Sequence, residues 1–128
     1  MGPDRGGSPA VTAWRLVASS RRGPRLDWIE FEPRTGRKHQ IRAHAAATSS
    51  LGPLYGDGKF GWRHNGPGAP PRLHLHCHSL RLPRGLLHPD ADEVHATAPL
   101  PDHMQATWER AGWMAAMAFV TKDDDGSK

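Results

Sequence analysis

The segment Glu32-Pro33-Arg34-Thr35-Gly36-Arg37-Lys38-His39-Gln40-Ile41-Arg42-Ala43-His44 sets the first limit on the fold. Four cations stand in it beside two histidines and a glutamine, with no acid after Glu32. A stretch so charged cannot be wrapped whole into a core, because an unpaired buried charge costs more than the stability margin of a small domain. One narrow face remains for packing. Ile41, Ala45 and Thr48 supply it at helical spacing, and Thr35 is the expected N-cap of a helix that ends near Ser50. Arg37 and Lys38 then fall in the first turn, where each cation opposes the helix macrodipole by about 0.3–1 kcal/mol. No capping-box acid stands at Lys38 to offset them. A docked anion reverses that penalty through the free N–H groups and the arginine forks. The segment therefore reads as a surface for phosphate or for an acidic partner, with a solvated basic face as the plainer alternative.

Charge along the rest of the chain points the same way. Residues 1–84 hold 14 Lys and Arg against 5 Asp and Glu, whereas residues 85–128 hold 3 against 8. A basic part of this kind is an electrostatic footprint for nucleic acid, since phosphates neutralised by cations release counterions. Aromatic interleaving for base stacking is weak, and Trp28 and Phe31 are expected in a core. The single cysteine, Cys77, excludes an internal disulfide, suits a reducing compartment and is expected to be buried as a small hydrophobe. The longest apolar run, Trp113 to Val120, is too short to span a membrane, so no membrane partner is expected.

Short elements separated by glycine and proline follow from the pattern. A disordered lead covers residues 1–9, and strands are expected at Val11 to Ser19 and Leu26 to Glu32 around a turn at Ser20 to Pro24. The charged helix comes next, then a glycine-rich loop from Leu51 to Gly61. In that loop Asp57, between Gly56 and Gly58, suits an Asx-type turn whose side chain caps the loop. Trp62 to Pro71 reads as a Gly/Pro-rich insertion. Arg72 to Pro83 reads as a strand with His74, His76 and His78 on one face, Val94 to Ala98 as a short strand, and Asp102 to Ala118 as an amphipathic helix. An acidic disordered tail covers 121–128. With 37% apolar residues, 14 glycines and 12 prolines, the body at 10–120 is lean for independent folding.

Three blocks carry a family resemblance. Thr35-Gly36-Arg37-Lys38-His39-Gln40-Ile41-Arg42-Ala43-His44 closely resembles the Thr-Gly-Arg-x-His-Gln-Ile/Leu-Arg-x-His signature of RluA-type RNA pseudouridine synthases. Pro53-Leu54-Tyr55-Gly56-Asp57-Gly58-Lys59-Phe60-Gly61 resembles that family's Gly-Asp block, with Phe60 in the tyrosine place. Arg72-Leu73-His74-Leu75-His76-Cys77-His78-Ser79-Leu80 resembles its Arg-Leu-x-Leu-His strand. The blocks occur in the family's order across about fifty residues. The family's nucleophilic aspartate lies in a His-Arg-Leu-Asp-x-x-Thr-Ser-Gly motif that this chain does not contain. Arg25-Leu26-Asp27 imitates its core but reads as the start of a strand.

The resemblance implies an α+β fold, namely the C-terminal part of a catalytic domain with a mixed, mainly antiparallel sheet and flanking helices. It implies an isomerase that converts uridine to pseudouridine in structured RNA, ribosomal more than transfer RNA, without cofactor or metal. The chain alone is expected to be inactive for want of the aspartate motif. Arg42 matches the arginine that pairs with the nucleophile, and Leu75 matches the hydrophobic residue against the target base, with Ile41 supporting it. Arg34, Arg37 and Lys38 would hold phosphates. His39 and Gln40 would tie the helix to a neighbouring strand or touch the flipped nucleotide. A non-catalytic RNA-binding fragment is one alternative, and a metal-binding module using His74, His76 and His78 is another. An exposed sheet edge favours self-association. The compartment expected is the cytoplasm, with the mitochondrion as the alternative.

Overall fold

A computed structural model describes residues 9–23 and 25–117. The expected acidic tail, and the expected lead apart from Pro9, lie outside the described residues. The chain divides into two compact units, 1–74 and 75–128.

The first unit begins with an antiparallel pair, β1 (Thr12–Ser20) and β2 (Leu26–Pro33), in register from Thr12 opposite Pro33 to Ser20 opposite Leu26. The register shifts between Leu16 and Ala18, so one extra residue of β1 is accommodated as a bulge. Facing side chains reinforce the ladder: Arg15 Nε donates to Glu30 Oε1 at 2.7 Å, and Ser19 Oγ donates to Asp27 Oδ1 at 2.7 Å. Asp27 is thus an exposed strand residue, as expected. Trp28 is buried and Phe31 half-buried, which supports the core reading for both. Helix α1 (Gln40–Ala47) follows, then a loop holding a 3-10 turn at Gly58–Phe60.

Helix α1 is much shorter than its sequence suggests. His39 sits in the left-handed region at φ 54°, which breaks the helical path ahead of Gln40. At the other end Thr48 turns extended, and its Oγ1 donates to the His44 carbonyl at 2.7 Å. Arg37 and Lys38 therefore precede the helix rather than filling its first turn, and Thr35 is not the N-cap.

In the second unit β3 (Ser79–Leu82) pairs antiparallel with β4 (Val94–Thr97), Ser79 opposite Thr97 and Leu82 opposite Val94. The strand expected from Arg72 is confined to these four residues; in the stretch before them His74 N donates to the Tyr55 carbonyl and the His78 carbonyl accepts from Ala98 N, both at 2.9 Å. Cys77 is consequently exposed rather than buried. Helix α2 (Asp102–Ala111) stops at Gly112, which adopts φ 79°. Gly112 N donates to the Glu109 carbonyl and Trp113 N to that of Trp108, the paired bonds of a Schellman stop. The helix expected to run to Ala118 is thus broken, with a further helical turn at 114–117. Trp113 meets Trp108 edge to face at 5.1 Å, and both are buried with Met104. All strand pairing among the described residues is antiparallel, and with the helices it makes the α+β class expected.

Candidate functional site

The chain entering α1 is held by one side chain, Gln40. Its amide Nε2 donates to the Val11 carbonyl at 2.8 Å and to Thr12 Oγ1 at 2.9 Å, while Oε1 accepts from Thr35 Oγ1 at 2.6 Å and from Arg37 N at 3.0 Å. Both donors and both acceptor sites are engaged, as a buried amide requires. Thr35 also accepts from Val11 N at 3.0 Å, which explains why it does not cap α1: its hydroxyl is committed to the strand pair. One turn later, His44 Nδ1 stands 2.8 Å from Thr12 Oγ1. The polar face of α1 is thereby clipped to the start of β1.

Arg42 projects from α1 to Asp57. The guanidinium engages the carboxylate with two parallel bonds, Nε to Oδ2 at 2.9 Å and Nη2 to Oδ1 at 2.7 Å. Asp57 is wholly enclosed and the Arg42 side chain is 19% exposed. Phe60 lies beside the pair, with its ring centroid 5.1 Å from the Arg42 Cζ. The edge contact between Phe60 and His39 spans 5.8 Å. Hydrogen bonding from Arg42 holds the Asp57 carboxyl below the usual range, against the opposing effect of burial. The same bond raises Arg42 further. His39 is pushed down by burial and then by the charges of Lys59, Arg42 and Lys38. Asp57 is therefore not the loop cap expected from its glycine neighbours. Its side chain makes no cap bond to the 3-10 turn and is committed to Arg42 through both oxygens.

Gly56 makes this placement possible. It has φ 84°, and a Cβ there would stand 2.3 Å from the Arg72 carbonyl oxygen. His74 N donates to the Tyr55 carbonyl at 2.9 Å beside that approach.

The remaining candidate residues are spread more widely. Arg37 and Lys38 are exposed in the turn before α1, and Ile41 is half-buried. Arg34 makes an exposed ion pair with Glu32 at 3.0 Å. Leu75 opens the second unit and is 37% exposed. Of the residues expected to tie α1 to a strand, Gln40 does so, whereas the ring of His39 meets Phe60. His76 Nε2 and His78 Nδ1 both reach the Ala98 carbonyl at 3.1 Å, and His74 Nδ1 reaches the Arg72 carbonyl at 2.7 Å. Among the described residues no three His, Cys, Asp or Glu side chains are grouped to hold a metal ion, so the metal-module alternative has no site. No described helix is long and apolar enough to cross a membrane.

The Arg42–Asp57 pair escaped a reading based on local turn chemistry. A signal for it does exist: Asp57 is the one acid between Glu32 and Asp90, among nine lysines and arginines. An acid so isolated among cations is a strong candidate for a buried partner.

Residues 1–47, which include β1, β2 and α1, match the family model described as RNA pseudouridylate synthase. The chain is 31% identical over 140 residues to the mitochondrial RNA pseudouridine synthase 4 of Arabidopsis thaliana, covering 77% of this chain and 29% of that protein. It is 40% identical over 102 residues to the uncharacterized RNA pseudouridine synthase YhcT of Bacillus subtilis, covering 78% and 30%. With the ribosomal large subunit pseudouridine synthase C of Haemophilus ducreyi it shares 35% identity over 103 residues, covering 77% and 30%. The chain thus spans about three-tenths of the length of these relatives. No solved structure matches it significantly. The ordered motifs, the matching family model and the named relatives agree that this chain belongs to the RNA pseudouridylate synthase family.

Proposed function

We propose that this chain supplies the RNA-facing helix and the pairing arginine of an RNA pseudouridine synthase that isomerises uridine within structured RNA, ribosomal more than transfer RNA. The observation that carries the reading is the charge of residues 33–89. Between Glu32 and Asp90 the one acid, Asp57, is enclosed and neutralised by Arg42, so the exposed charges of that stretch are all positive. Arg34, Arg37 and Lys38 hold phosphates and position the RNA without reading its sequence. Ile41 offers an apolar contact to the target base, and His39 contacts the flipped nucleotide.

Isomerisation needs an ionised aspartate beside the nucleoside, and the motif that bears it is not among these residues. A guanidinium has five N–H donors, and Asp57 takes two of them. The remaining donors of Arg42 are available to a second carboxylate, whose ionised form they favour by charge and hydrogen bonding. Asp57 is then a positioning residue that fixes the fork for the nucleophile. Alone, the chain binds RNA without turnover.

RNA is the partner, with association between copies along the exposed edges of the β1–β2 pair as a second contact. The compartment we assign is the cytoplasm. The mitochondrion is the alternative, raised by the name of the Arabidopsis relative. The test is pseudouridine formation in ribosomal and transfer RNA transcripts by a protein that joins this chain to a segment bearing the aspartate motif. Arg42→Lys keeps a charge on Asp57 but loses the fork, and is expected to abolish turnover while the protein still folds. Retained turnover would remove Arg42 from the mechanism.

A further inference from the structure

Beyond the Arg42 site, a group of rings stands on the Gly/Pro-rich excursion that follows the 3-10 turn. Trp62 is half-buried and meets Tyr55 edge to face at 5.2 Å. His64 is exposed, with its ring centroid 6.0 Å from that of Trp62 and its plane tilted by 30°. His64 Nε2 is held by the Gly68 carbonyl at 3.0 Å, and Tyr55 is braced from another side by His74 at 4.7 Å. An edge contact fixes a ring without enclosing it. The charged residues around these rings in sequence, Lys59, Arg63 and Arg72, are all exposed and all positive.

Fixed rings among cations with no exposed acid are the two components of a single-strand site: faces for bases and charges for the phosphates between them. Packing against Tyr55 alone does not account for His64 and Arg63, which face solvent. We infer that Trp62 and His64 form a stacking platform for an unpaired RNA base, with Lys59 and Arg63 on its phosphates. The platform rests on the RNA reading above and adds to it a second contact, on a segment outside the motif helix. Because every base presents a π face, the contact tolerates any sequence and selects for unpaired strand.

The experiment compares the 128-residue chain on a labelled oligouridine of about 10 nucleotides and on an abasic strand with the same number of phosphates, by fluorescence anisotropy. The base-bearing strand should bind about tenfold tighter. Trp62→Ala should erase that preference without changing the salt dependence, Trp62→Phe should keep it, and His64→Ala should reduce it. Equal affinity of the wild-type chain for the two strands would overturn the platform without any variant having to fold. A preference that survives Trp62→Ala would overturn it as well. Failure to bind either strand would instead overturn the RNA reading on which the platform stands.

Discussion

The two units of this chain solve the same problem with opposite materials. The first is pinned by polar side chains: a glutamine with four partners and an arginine locked on an enclosed aspartate. In the second, Trp108 and Trp113 pack edge to face at the end of α2 and are buried, as is Met104, and its one ion pair between described residues, Arg84 with Asp92, is exposed at 3.3 Å. Polar bolts fix direction, because hydrogen bonds and forks are angular, whereas apolar packing fixes mainly volume. A surface that must present cations to an RNA backbone needs the former. A unit without that duty can rely on the latter.

The sharpest way to break the comparison is Trp108→Ala. Emptying a buried indole site should cost the second unit about 3–5 kcal/mol, read by denaturant unfolding. A loss below about 1 kcal/mol would mean that its core lies elsewhere. Next comes Asp57→Ala, which strips Arg42 of its counter-charge and should lower the melting midpoint by roughly 10 °C. Asp57→Asn should do less, since the amide keeps one acceptor for the fork. An unchanged midpoint in both would show that the pair is not a bolt.

Gln40→Ala should cost about 2 kcal/mol, because it leaves the Arg37 N–H and the Thr35 hydroxyl without their acceptor. Valine or leucine at that position should not rescue it. Acid titration follows. Asp57 is held below the usual aspartate value near about 3.9, so its contribution is complete above that pH and is lost as pH falls through its own lower value. Asp57→Asn should flatten that acid limb, and an identical limb in the variant would contradict the assignment. For His39 the shift is also downward, so protonation favours the unfolded chain as pH falls below about 6.5. The smallest effect is expected at Gly112, where alanine in the left-handed stop should cost about 1 kcal/mol.

Much of this fold is legible in the sequence, and the failures share a cause. Short runs bounded by glycine and proline mark β1 and β2. The spacing of Ile41, Ala45 and Thr48 marks α1. What it does not reveal is where α1 begins, because the competitor for Thr35 is a backbone N–H 24 residues earlier in the chain. Local capping rules weigh neighbours and cannot see that partner. Asp57 fails for the same reason: its glycines announce a turn, but its carboxylate answers to Arg42, 15 residues away. Cys77 and the early part of the β3 segment show the converse error, since alternation signals readiness to pair and cannot supply a partner strand. Gly112 could have been seen, as a glycine followed by an apolar residue is a recognised helix stop.

The close approach at Gly56 has an engineering consequence. With Gly56 against the Arg72 carbonyl and His74 N on that of Tyr55, the backbone is closed on itself at both feet of the excursion that carries Trp62 and His64. A length change within residues 65–70, past the Trp62 contact with Tyr55, alters chiefly the entropy of a closed loop, which grows slowly with residue number. The excursion is thus a natural graft point: it can be shortened, extended or exchanged for another sequence while Asp57 stays on Arg42, so that reach toward RNA can be varied separately from the chemistry.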